Sequence, residues 1–195
     1  MSGVVLVVFV ICVVCAAWMR SSIQRLRRLA SSVDSALALV HVELDRRYEY
    51  VPALVLAASE TVGSDLVAPV SGARSLAMRV REEDLDLRRQ AGAEKALSEA
   101  LHAVLESGRR YPQLAHDWAF VHPAHEIEVT EQRLTGAIRV YNEQARSLNR
   151  AIRTFPGTVV AHRLDIGSAQ LFEATVLAVP SSDTLADDDV ADAAA

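Results

Sequence analysis

The sequence predicts an all-α protein: an N-terminal transmembrane helix that continues into an antiparallel helical bundle of about four helices. Three observations lead there. Apolar residues recur every three or four positions from Leu26 to Val62, which is one helix face held for about ten turns. No charged side chain occurs before Arg20. The 195-residue chain holds only 8 Gly and 6 Pro, too few for the turns of an all-β fold, and its 51% hydrophobic content excludes wholesale disorder.

The first element is the anchor, residues 1–20. Ser2 to Met19 is an uncharged run of 18 residues, about 27 Å of helix, which meets the lower limit for spanning a hydrocarbon core. Trp18 suits the membrane interface. A cleaved secretory signal would carry basic residues ahead of the apolar run, and here they follow it: Arg20, Arg25, Arg27 and Arg28. A lipoprotein signal needs a small residue before its Cys, whereas Ile11 precedes Cys12 and Val14 precedes Cys15. The positive-inside rule then places the N-terminus outside and everything after Arg20 in the cytoplasm of the cell. Cys12 and Cys15 have the CxxC spacing of redox and zinc motifs, but no polar group nearby would lower a thiol pKa, so they read as small apolar residues facing lipid.

The second element is a bundle domain over residues 21–180. Its first stripe runs Leu26, Leu29, Val33, Leu37, Val40, Leu44, Tyr48, Val51, Val55, Ala58 and Val62, with Asp34, Glu43, Asp45, Arg46 and Glu49 off it. Pro52 lies inside this stripe and removes the hydrogen bond to the Tyr48 carbonyl, predicting a bend or a junction of two helices. Gly63-Ser64-Asp65 stops this helix and starts a second, expected over 65–86. The charged stretch 79–89 reads as a solvated face or loop. A third helix is expected over 91–107, with Leu97, Leu101, Val104 and Leu105 on one side and Gly108 ending it. A connection then runs to about His122. The last long helix is expected to start near Pro123 and end before Phe155-Pro156-Gly157, with the stripe Ile127, Leu134, Ile138, Tyr141, Ala145, Leu148 and Ile152. Phe172 is placed to dock back on the bundle. Residues 181–195, with five Asp and no basic residue, form an acidic tail expected to be disordered.

Several short motifs occur in order behind the anchor. They are VELDRRYEYVPALV at 42–55, Ala73-Arg74, Tyr111-Pro112 with Leu114, Thr130-Glu131 with Arg133, Tyr141-Asn142, Phe155-Pro156 and Phe172-Glu173. Over roughly residues 33–174 this resembles the LemA family of bacterial membrane-anchored proteins. The resemblance implies a helical bundle on a single-pass anchor and supplies no catalytic residue, cofactor or metal ligand. The sequence departs from the family pattern at Leu37, at Leu148-Asn149 and at Pro123.

The net charge of −5 belongs to the tail: the five tail Asp removed, acids and bases balance, which disfavours a broad nucleic-acid surface. No HExxH, GxSxG or P-loop pattern is present. Of six His, only His122 and His125 cluster, and His122 ahead of Pro123 is expected to be non-helical, which argues against a shared metal. Thr130, Glu131, Arg133, Tyr141 and Asn142 are the polar residues of most interest, read as a register-fixing layer within the bundle rather than a ligand site. Glu131 and Arg133, two apart, point to different faces. Arg46 and Arg47 are expected to pair with another helix. No catalytic, cofactor-binding or metal residue is assigned. The expected function is a cell-envelope interaction or scaffold module, with a bilayer contact through residues 2–19 and a protein partner but no nucleic acid. An enzyme or ligand-binding protein with an unrecognised pocket is the alternative.

Overall fold

The computed structural model describes residues 2–83 and 86–173, and the acidic tail lies outside the described residues. Among the described residues six helices form: α1 (Ser2–Val62), α2 (Ser64–Glu82), α3 (Leu87–Arg110), α4 (Pro112–Ala115), α5 (Trp118–Arg153) and α6 (Gly157–Leu164). No strand occurs among the described residues. Helices α4 and α6 are short, of four and eight residues. The chain divides into two compact units, and α1 and α5 contribute to both.

The first unit comprises residues of Met1–Val42 with Gly136–Phe172. An 18-residue window of α1 near the N-terminus has a mean hydropathy of 2.2 with none of it buried, long and apolar enough to cross a membrane. Cys12 and Cys15 are exposed within this stretch. The same helix then buries Leu26, Val33 and Val40. Residues 157–164 form α6, whose Val160 and Ala161 bury their side chains with Leu26. Beyond α6 the described residues have no regular secondary structure and are clipped to α5 by two asparagines one heptad apart. Asn149 donates to the Ala169 carbonyl and accepts its N–H, at 2.8 and 2.9 Å. Asn142 does the same with Phe172, at 2.9 and 2.8 Å. Each side-chain amide thus replaces a ladder partner for otherwise unpaired backbone. Phe172 is buried, as expected.

The second unit, Glu43–Thr135, holds the rest of α1, all of α2, α3 and α4, and the first half of α5. Helix α1 passes Pro52 without a break, so no junction of two helices forms there. Val51 is buried and Val55 half-buried, so the apolar face continues past the proline. The carbonyl that Pro52 leaves without its helical donor belongs to Tyr48, and the Arg74 Nε of α2 donates to it at 2.9 Å. Arg74 therefore satisfies the orphan created by Pro52. Arg74→Met is expected to cost about 1–3 kcal/mol in this chain and clearly less when Pro52→Ala restores the backbone donor. Equal costs in the two backgrounds, read from thermal melts, would show the two residues to be uncoupled.

Helix boundaries differ from expectation at three places. Helix α2 ends at Glu82, short of residue 86, and α3 starts at Leu87 and runs to Arg110, longer than 91–107. Between α1 and α2, Gly63 takes φ 82°, a left-handed conformation that glycine adopts without strain. The largest correction is at α5, which begins at Trp118 rather than Pro123. Asp117 caps it: its Oδ1 accepts the Ala119 N–H at 3.0 Å, and its carbonyl accepts those of Phe120 and Val121. Phe120 then packs so closely on Gly108 that an added Cβ would lie 2.6 Å from its ring. His122 is consequently helical, and Pro123 sits in the second turn.

Candidate functional site

The second unit encloses an ionic layer built by three helices. Arg47 projects from α1 with none of its side chain exposed to solvent. One guanidinium nitrogen donates to Glu131 Oε1 of α5 at 2.6 Å and to the Ser98 hydroxyl of α3 at 2.8 Å. The other pairs with Glu94 of α3. The Tyr48 phenol donates to the second Glu94 oxygen. The Ser98 hydroxyl in turn donates a hydrogen bond to Glu131 Oε1, 3.3 Å away. The layer forms because each helix places a polar side chain where its apolar stripe would continue. Arg47 lies three residues after Leu44 and four before Val51, and Glu131 lies four after Ile127 and three before Leu134.

Burial sets the electrostatics. It pushes the Glu94 carboxyl above its ordinary value, against the opposing pull of Arg47 and the Tyr48 phenol. Burial works to lower the Arg47 pKa, but the Glu131 and Glu94 carboxylates outweigh it and hold the guanidinium above the usual value. Burial and the neighbouring Glu94 push the Tyr48 phenol well above 10.0. A raised phenol stabilises the fold below its unfolded pKa of about 10, and that stability is lost as pH rises further, at about 1.4 kcal/mol per pH unit. The stability gap between the parent chain and Tyr48→Phe should therefore narrow above pH ~10. A gap that stays constant from pH ~8 to ~11 in chemical denaturation would contradict the buried donor role.

Among the described residues, Arg47 Nε, Gln90 Nε2, His102 Nδ1 and Thr130 Oγ1 are buried without a hydrogen-bond partner, and the first belongs to this layer. A surface depression of about 300 Å³, lined by Asp45, Tyr48, Met78, Arg81 and Glu82, reaches Tyr48 from outside. Arg81 forms a two-pronged pair with Asp45, and this hydrogen bonding raises the Arg81 pKa.

The structure separates the expected polar residues. Glu131 joins the layer, while Arg133 is exposed, so the two do face differently. Arg47 pairs across helices as expected, whereas Arg46 pairs with Glu43 of its own helix at 3.4 Å, since its position turns it outward. Tyr141 and Asn142 belong to the other unit, where Tyr141 donates to the Gln170 carbonyl at 2.7 Å. Burial raises the Tyr141 phenol, with Asp34 adding to the effect. His122 packs its ring against Trp118 and Tyr50, at centroid separations of 5.4 and 6.4 Å. Among the described residues no group of three or more His, Cys, Asp or Glu side chains gathers to hold a metal. Sequence reasoning missed Glu94 and Ser98. The signal was the four-residue spacing of Gln90, Glu94 and Ser98 along one edge of the Leu97–Leu101 face.

The family model described as the LemA family matches residues 36–181, three quarters of the chain. The chain belongs to the LemA family. The match takes in every residue of the ionic layer and both asparagine clips, so these features lie within the LemA region itself. No curated protein matches the chain.

Proposed function

We propose that this LemA-family protein is a membrane-anchored, cytoplasm-facing interaction or scaffold module of the cell envelope, without catalysis of its own. The observation that carries the reading is the double character of α1. Its exposed apolar start continues without a break into the buried stripe of the body, so one helix serves as both span and core element. Arg20, Arg25, Arg27 and Arg28 directly after the apolar run favour the cytoplasmic side for the body. The long helices α1, α2, α3 and α5 are read as one antiparallel bundle whose ionic layer fixes register. That layer is committed to internal partners, which supports a structural role rather than turnover.

The unpartnered buried Nε of Arg47 favours a second reading, a small polar ligand held inside the bundle. The two readings separate in one experiment. Photo-crosslinkers placed at exposed body positions such as Trp118 or Arg133 should give discrete protein adducts in membranes and lose them when the anchor is removed. Absence of any adduct, with a small molecule retained by the chain in native mass spectrometry, would favour the second reading.

A further inference from the structure

The acid–base balance of the chain conceals a strong asymmetry. The first unit carries nine arginines against three acidic residues, Asp34, Glu143 and Asp165. Two of these arginines, Arg25 and Arg150, meet at one cavity where α1 leaves its apolar run. This cavity, of about 430 Å³, opens between α1 and the α5–α6 corner. Arg25 and Arg150 line it with the hydroxyls of Ser22 and Ser147, over an apolar floor of Leu26 and Leu29. No acidic side chain lines it. Arg25 has no hydrogen-bond or ion-pair partner among the described residues, and the Arg150 guanidinium meets only the Ser147 hydroxyl, at 3.3 Å. Two exposed guanidinium groups over an apolar floor, unopposed by carboxylates, are the groups that capture a phosphate carried on an apolar stem.

Depth along α1 identifies the source of that phosphate. Trp18 ends the apolar run, and its ring lies 5.7 Å from that of Phe155 in the α5–α6 corner. Phe155 is 70% exposed and Val159 52%, apolar side chains presented at this level. Ser22 and Arg25 follow Trp18 by four and seven residues, about 6 and 10 Å along the axis. With Trp18 at the hydrocarbon boundary, that is the depth of the lipid headgroups. Gly157, the first residue of α6, also lines the cavity and adds the positive end of that helix to the arginines.

We infer that the cavity lined by Arg25 and Arg150 binds the phosphate headgroup of an anionic bilayer lipid, with Phe155 seated in the same interfacial layer. This rests on the reading of α1 as a membrane anchor. The test uses the full chain in nanodiscs of phosphatidylcholine alone and of phosphatidylcholine with phosphatidylglycerol, followed by native mass spectrometry of retained lipid. Retained phosphatidylglycerol should exceed phosphatidylcholine. Arg25→Gln with Arg150→Gln should weaken that retention roughly thirtyfold, about fivefold per arginine. Both side chains are exposed, so the core is untouched. Arg27→Gln with Arg28→Gln removes the same charge at the same depth and should have a much smaller effect. Equal losses in the two double variants would overturn the site in favour of diffuse attraction. A chain that enters neutral nanodiscs but shows no preference for phosphatidylglycerol overturns the headgroup site and leaves the anchor standing. Failure to enter neutral nanodiscs overturns the anchor itself and this inference with it. Inorganic phosphate that displaces the lipid and binds equally well in detergent would overturn the bilayer as the source.

Discussion

Replacing Arg47 by Met is expected to destabilise the body by about 3–5 kcal/mol, because it leaves the Glu94 and Glu131 carboxylates buried without their cation. For a chain of this length that lowers the melting temperature on the order of 10 °C. The cost arises from uncompensated charge rather than from lost attraction, since the pair also had to be desolvated to form. Adding Glu94→Gln and Glu131→Gln to Arg47→Met should therefore recover most of the loss, although the triple variant has fewer ionic contacts than the single one. Thermal melts of the full chain in a mild detergent decide it. An unshifted melt for Arg47→Met, or a triple variant weaker than the single, would contradict the layer's assignment as a buried, mutually compensating set.

The second large effect concerns the exposed apolar start of α1. Val7→Arg with Ile11→Arg puts two charges at the centre of the run, each costing roughly 2.5–3.5 kcal/mol for insertion. The variant should move from the membrane pellet to the soluble fraction. The same pair of changes at Leu39 and Val42, which are exposed apolar positions of the body, should leave the chain in the pellet. Retention of the Val7/Ile11 variant in the pellet after an alkaline wash would mean that some other surface holds the protein to the bilayer.

Both effects rest on features of the apolar pattern, the unbroken run at the start of α1 and the stripes that follow it. The α1 stripe is visible in sequence because every member, from Leu26 to Val62, is buried or half-buried in the structure. The α5 stripe has a seven-residue step from Ile127 to Leu134, and the missing position between them is Glu131. A skipped beat in an otherwise regular apolar period marks a buried polar group. Arg47 left no such gap, because Tyr48 carries the stripe from Leu44 to Val51. The partner of that group was not legible. Glu94 and Ser98 lie in a helix whose surface is polar on most sides, and periodicity alone does not say which polar edge turns inward. The answer depends on which helices meet. The early start of α5 was hidden for a related reason: Pro123 suggests a first turn, but the Asp117 cap and the fit of Phe120 on Gly108 begin the helix five residues sooner. Arg74 is the clearest case of tertiary compensation. Pro52 announced an orphan carbonyl, and only the fold reveals the donor that meets it.

Membrane tethering of a cytoplasmic body is the centre of the account, and protease accessibility tests it most directly. Protease added outside intact cells or protoplasts should leave residues 21–195 uncut, while the same protease should degrade them once the membrane is opened or inverted. Degradation of the body in sealed cells would place it on the outer face and contradict the proposed function.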